Sequence, residues 1–230
     1  VTNIDKEHLD FYKSMNNLKS KFVKFIEKTP SFGKSFICLD NKYNREILRN
    51  VKNINYNTYG FHKNSNFQII NVIKKKELSL FDLKIKTSES KPRFIRKISV
   101  PTIGMHNIRN ATAAIAVATS VGITNDIIKK SLTNFKGVQR RFTKIFNYRN
   151  IPFFDDYAHH PTEINEVLNG VRDVYKDSEI LCIFQPHRIS RLKNLTKEFS
   201  ECFKKADTVV LCPIYKAGEN IKLGFSYLNF

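Results

Sequence analysis

Tryptophan is missing from this 230-residue chain, methionine occurs twice, and glycine and proline supply only eight and seven residues. So little glycine and proline excludes a collagen-like or low-complexity polymer, and no internal repeat appears. It also leaves no glycine-rich phosphate loop. The Gly33-Lys34 pair runs into Ser35, but Lys28 stands where such a loop needs its first glycine. No apolar run is long enough to span a bilayer. The four cysteines, Cys38, Cys182, Cys202 and Cys212, show neither Cys-x-x-Cys nor metal-ligand spacing. Buried free thiols in a reducing cytosol are their simplest account. Acidic residues are the other shortage: 21 Asp and Glu against 39 Lys and Arg give a formal net charge of +18.

Such an excess of positive charge raises a nucleic-acid reading. Its densest zone comprises Lys74, Lys75, Lys76, Lys84, Lys86, Lys91, Arg93, Arg96 and Lys97. Glu77, Asp82 and Glu89 interrupt that zone, and no aromatic ladder or nucleic-acid motif accompanies it. Asn and Ile are abundant as well, which points to a general compositional bias and makes a basic binding module the weaker reading. A 41% hydrophobic and 26% charged composition is ordinary for a globular chain able to bury a core.

Hydrophobic patterning predicts strands near residues 1–4, 36–39, 67–73 and 80–86, and helices near 14–27, 106–121 and 124–133. Beyond about residue 138 strand and helix alternate, at 152–155, 161–175, 179–184, 190–204 and 208–212. That alternation predicts an α/β fold with a parallel sheet flanked by helices. Gly137, just before Arg140-Arg141, predicts an interdomain hinge and hence domains 1–137 and 138–230.

Chemistry concentrates at strand ends. Within Phe154-Asp155-Asp156-Tyr157-Ala158-His159-His160-Pro161-Thr162-Glu163-Ile164, the first seven residues alone gather two carboxylates, a phenol and two imidazoles where a strand gives way to a helix. Open α/β sheets bind ligands there. Pro161 suits a first helical turn and Glu163 complements the positive helix end. A capped helix start explains one Asp or one His; five ionisable groups exceed what capping needs. The next strand runs into Gln185-Pro186-His187-Arg188-Ile189-Ser190-Arg191. Arginines at a helix start oppose its dipole, which makes sense if an incoming anion sits between them and the backbone N–H groups; two solvated arginines are the bland alternative. Upstream, Gly104-Met105-His106-Asn107-Ile108-Arg109-Asn110-Ala111 opens an alanine-rich helix with Asn107 and Asn110 on one face. Their amides can cap the helix or pair with a purine edge.

Together with Asn3-Ile4-Asp5-Lys6-Glu7-His8-Leu9-Asp10, Leu18-Lys19, Phe22, Tyr59-Gly60-Phe61 and Gly137-Val138-Gln139-Arg140-Arg141-Phe142, these stretches resemble the Mur ligase family over nearly the whole chain. Asp-Asp-Tyr-Ala-His-His-Pro followed by Pro-His-Arg is most similar to the alanine-adding branch, with the murein-tripeptide recycling branch as nearest competitor. The resemblance implies bacterial, cytoplasmic, ATP- and Mg2+-dependent amide-bond formation in peptidoglycan precursor synthesis. In that reaction the carboxylate of UDP-N-acetylmuramate becomes an acyl phosphate, which the amine of L-alanine attacks. It implies part of a central ATP-binding domain (1–137) and an incomplete Rossmann-like domain (138–230), hence an internal fragment whose phosphate loop precedes residue 1.

By the same resemblance, His8 helps hold magnesium, His106, Asn107 and Asn110 lie against adenine, Arg141 meets a nucleotide phosphate, and Asp156 binds the ribose hydroxyls. Tyr157, His159, His187, Arg188 and Arg191 wall the amino acid and acyl group, the last three as catalytic residues. Magnesium prefers oxygen ligands, so the role of His8 rests on resemblance alone. Phe22 stands where several later-acting ligases place a carbamylated lysine, a departure that the alanine-adding branch shares.

Overall fold

The computed structural model describes residues 1–52, 54–86 and 91–219. Glu89 and the last residues of the expected second domain, 220–230, lie outside them. Two compact units emerge: Val1–Pro101 with His106–Phe135, and Thr102–Met105 with the residues from Lys136 onward.

In the first unit, β1 (Ser35–Cys38), β2 (Tyr56–Gly60), β3 (Phe67–Lys74), β4 (Ser79–Ile85) and β5 (Arg93–Val100) form one sheet in that order. The β1–β2 and β2–β3 pairings are parallel and the others antiparallel. Helices α1 (Leu9–Tyr12), α2 (Met15–Glu27), α3 (Lys42–Leu48), α4 (Met105–Ser120) and α5 (Asn125–Thr133) complete it. Ser14 and Asn41 cap α2 and α3 by accepting the N–H of Asn17 and Asn44, satisfying donors that a helix start leaves open. Ile4, Leu18, Ile26, Ile37 and Ile47 build a core cluster, with Phe22 packed against it.

Residues 1–4, expected as a strand, lie beside β1 without joining the sheet. The Cys38 N–H reaches the Val1 carbonyl (3.0 Å), but the carbonyls of Thr2 and Ile4 are taken by the side-chain amides of Asn44 and Asn41. Within the antiparallel part, Ser79, Phe81, Leu83 and Ile85 alternate inward along β4. Asp82 faces the other way and accepts the Asn71 amide (2.9 Å) and the Lys97 N–H (2.7 Å). Asn71 and Lys97 have φ of 53° and 55° and sit at irregularities of β3 and β5, so one carboxylate pins two bulges.

In the second unit, β6 (Thr143–Tyr148) and β7 (Ile151–Asp155) form an antiparallel hairpin, while β8 (Leu181–Phe184) pairs in parallel with β9 (Thr208–Leu211). The expected parallel pairing is found between β8 and β9, while β7 pairs with β6, a strand that the alternation did not show. Arg149 and Asn150, with φ of 47° and 66°, make the tight left-handed turn that returns the chain as a hairpin. Helix α6 (Pro161–Val174) is followed by α7 (Ile189–Asn194) and α8 (Thr196–Cys202), where one helix over 190–204 was expected. The break falls at Leu195, which leaves helical geometry with φ −128° and is buried in the core cluster with Ile164, Leu168, Phe184, Leu192 and Phe199.

Burial pushes the Cys202 thiol up to about 12 and raises that of Cys182, so neither supplies a thiolate near neutrality. Arg172, in the last turn of α6, donates to the carbonyls of Tyr175, Lys176, Ser178 and Lys205 and pairs with Asp207 (2.5 Å). Asp207 also accepts the Ile180 N–H, so this ion pair joins the end of α6 to the starts of β8 and β9. Among the described residues, no helix is long and apolar enough to cross a membrane.

Candidate active site

The second unit brings most of the expected polar residues together. Tyr157, His159, His187 and Tyr215 form a chain of rings, with centroids 5.1 Å apart for Tyr157–His159, 5.8 Å for His159–His187 and 5.5 Å for His187–Tyr215. The segment after β7 and the segment after β8 thus face each other, although the two strands belong to separate sheets among the described residues. Tyr215 is a member that sequence reasoning missed. It follows β9, and its backbone bonds to Pro186 and Arg188 hold it beside His187.

The two imidazoles are held in opposite tautomers. His159 Nδ1 lies 2.9 Å from the Tyr157 carbonyl, which can only accept, so Nδ1 carries the proton and neutral His159 keeps a lone pair on Nε2. Arg191 donates to His187 Nδ1 (3.2 Å) and to the His187 carbonyl (2.9 Å), so neutral His187 bears its proton on Nε2. Burial and then the Arg191 charge hold His187 below the ordinary imidazole value, with smaller contributions from His159 and Arg188.

The start of α6 is set by its own sequence. His160 caps it by accepting a backbone N–H, Pro161 opens the first turn, and Glu163 reaches back to the N–H groups of His159 (3.1 Å) and His160 (3.3 Å). The start of α7 differs from expectation. Arg188 is its N-cap residue, with φ 69° and ψ 129°, a strained conformation for a residue with a side chain. Donors at the α7 start are already met by a carboxylate of this chain, that of Glu219, which leaves the guanidinium groups rather than the helix end for any incoming anion. The Glu219 carboxylate accepts the Ser190 N–H (3.0 Å) and hydroxyl (2.5 Å). Burial opposes its charge, yet these bonds hold the Glu219 carboxyl below the usual range.

Arg141 lies on the strap before β6, and Asp156, just after β7, closes over that strap. Asp156 accepts the N–H groups of Phe142 (2.8 Å) and Ala158 (2.7 Å), one on each oxygen, and each oxygen retains a second lone pair. Asp155 instead pairs with Arg140 (3.4 Å), whose guanidinium lies 4.7 Å from the centre of the Tyr157 ring. Arg140 and Phe142 have φ of 58° and 51°, and Arg141 between them is exposed.

The first unit carries the remaining candidates. His106, Asn107 and Asn110 share the first turns of α4, with His106 and Asn107 half-buried and Asn110 exposed. His8 is exposed, adopts φ 54° before α1, and has Glu7 3.9 Å away. No group of three or more His, Cys, Asp or Glu side chains that could hold a metal ion occurs among the described residues. The donors present around His8 thus do not by themselves fit a magnesium site, which needs several oxygens.

Residues 1–118 match the Mur ligase middle domain, and residues 140–225 match the Mur ligase glutamate ligase domain. The chain belongs to the Mur ligase family. It is 64% identical over all 230 residues to the UDP-N-acetylmuramate–L-alanine ligase of Pelagibacter ubique, of which it covers 50%. Against the ligase of the same name from Bartonella tribocorum, identity is 39% over 98% of this chain and 47% of the relative. This Mur ligase chain thus spans about half the length of the curated relatives it matches. Among solved structures, the UDP-N-acetylmuramate-alanine ligase of Thermotoga maritima superposes with a TM-score of 0.68 at 26% identity, covering 93% of this chain and 45% of that one. A murein peptide ligase from Psychrobacter arcticus, covering 93% and 48%, has a TM-score of 0.55 at 18% identity, a likeness of fold alone.

Proposed function

We propose that these residues belong to an ATP-dependent ligase that joins L-alanine to UDP-N-acetylmuramate in bacterial peptidoglycan precursor synthesis, in the cytoplasm. The observation that carries this reading is the 64% identity, across the whole chain, to a ligase of that name. The tripeptide-recycling alternative has no comparable support. In this reading residues up to about 137 belong to the ATP-binding domain and those from 138 to the domain that receives the amino acid.

The side chains fit the parts of such a reaction. Asn107 and Asn110 each present a donor and an acceptor, as an adenine edge requires, with His106 beside them. Arg141, exposed on the strap, is available to a nucleotide phosphate, and Asp156 retains lone pairs for ribose hydroxyls while its first contacts fix the strap. Arg188 and Arg191 bind the alanine carboxylate, with Tyr157 and His187 walling the site. In this reading the lone pair on His159 Nε2 accepts a proton from the alanine ammonium, which must lose one before it can attack. Magnesium, when bound, would neutralise charge on the phosphates, and His8 is the ligand this chain offers on resemblance.

The full reading frame containing these residues is expected to release phosphate from ATP only when UDP-N-acetylmuramate and L-alanine are both present. Release that depends on a murein tripeptide in place of L-alanine would move the protein to the recycling branch.

A further inference from the structure

Asp40 ties the ends of β1 and β2 to the first turns of α4. It lies two residues beyond β1, and its carboxylate accepts the N–H groups of Phe61 (3.1 Å) and His62 (2.9 Å), which follow β2. Arg109 of α4 donates Nε to the same carboxylate at 3.0 Å and lays its guanidinium 5.6 Å from the centre of the Phe61 ring. Both side chains are largely shielded, at 29% exposure for Arg109 and 15% for Asp40. Arg45 of α3 fixes the backbone on the other side by donating to the carbonyls of Leu39 (2.5 Å) and Asp40 (3.1 Å). Gly60 leaves the space the carboxylate needs: its φ is +133°, and a Cβ there would fall 2.6 Å from Asp40 Oδ1. Donors from the β2 end and from α4 thus converge on one carboxylate. Asparagine cannot replace it, since its NH2 would face N–H groups.

Arg109 stands on the same stretch of helix as His106, Asn107 and Asn110. A small rotation or slide of α4 would displace those side chains together, and hydrogen bonds weaken steeply once misaligned. We propose that Asp40 is a positioning residue for nucleotide binding, acting through Arg109 to fix the first turns of α4 against the ends of β1 and β2. The inference rests on the reading of His106, Asn107 and Asn110 as the nucleotide-facing set.

The test uses the full reading frame, with ATP and L-alanine varied separately. Asp40→Asn is expected to raise the KM for ATP about tenfold, as loss of a charge-assisted contact allows, while kcat and the KM for L-alanine stay within about twofold. Arg109→Leu should do the same, and the double variant should be no worse than the poorer single one, because both changes break a single link. Arg109→Lys, which keeps a cationic donor, should recover part of the loss. An unchanged KM for ATP in Asp40→Asn overturns the proposal. So do effects of the two substitutions that multiply, or a loss of ATP, alanine and kcat parameters together with melting temperature. If Asp40→Asn does not fold, Arg109→Leu carries the same test. ATP affinity by calorimetry reads the effect without ligation. A wild type that binds ATP but ligates no alanine therefore tells against the alanine reading, while the role of Asp40 still stands or falls on ATP affinity.

Discussion

At the scale of single residues, His187 shows how neighbours choose a protonation state. Its Nδ1 accepts from Arg191, so charging the ring would set a proton against a guanidinium N–H in a partly buried place. A histidine whose folded value is lowered contributes stability that is present above the unfolded value and lost as pH falls through the folded one. Titrated by NMR, His187 is expected to protonate below the ordinary imidazole range, and Arg191→Ala should raise its midpoint. Burial, the larger cause, persists in that variant, so the return should be partial. A midpoint unmoved by Arg191→Ala would show that the guanidinium does not control the ring. The same neighbours favour neutral His187 at physiological pH, with Nε2 as its donating nitrogen.

At the scale of elements, what could be read from the sequence was what is decided locally. The start of α6 was legible because Pro161 and Glu163 act within one turn. The strand-end positions of Asp156 and His187 followed from apolar runs that end abruptly. Strand β2, Tyr-Asn-Thr-Tyr-Gly, and strand β5, with Arg93, Arg96 and Lys97, were not legible, because their pairing partners rather than their composition make them strands. Tyr215 and Glu219 were missed for a related reason: only the β8–β9 pairing brings the segment after β9 back to His187 and Ser190. Asp82 illustrates the same dependence on partners, since a polar residue in mid-strand gives no sign that it holds bulges on both neighbours. Hydrogen bonds from Asn71 and then Lys97 lower its carboxyl below the usual range. Asp82→Ala is expected to cost about 1 kcal/mol at neutral pH, the net worth of such bonds at a part-exposed site. Because the folded value is lowered, that contribution is present above the unfolded carboxylate value and vanishes as pH falls through the folded one. Urea unfolding of wild type and variant should therefore converge in acid; a gap that persists there would mean that packing, not charge, holds the bulges.

At the scale of the whole chain, the shortage of acids and their placement bear on one another. Asp40, Asp82, Asp156, Glu163, Asp207 and Glu219 each accept at least one backbone N–H, so a substantial share of the scarce carboxylates clamps loops and caps within the fold. These carboxylates keep their negative charge while they clamp, yet 21 acids against 39 Lys and Arg still leave a strongly basic surface, at a net +18. Such a surface attracts polyanions through counterion release, with no need for a nucleic-acid motif. The chain is expected to bind duplex DNA at low salt with no sequence preference, and to release it as salt rises, log K falling linearly with log salt. Lys74→Glu, Lys75→Glu and Lys76→Glu together should weaken binding equally for every sequence. They should also reduce the salt slope, by about 0.9 for each DNA phosphate that the lysines no longer neutralise. ATP affinity should not change, because these lysines stand at the end of β3 and beyond it rather than on α4. Filter binding on two unrelated duplexes across a salt series measures this. Binding that survives high salt and prefers one duplex would revive the nucleic-acid module as a function in its own right, and the basic charge could no longer be ascribed to composition.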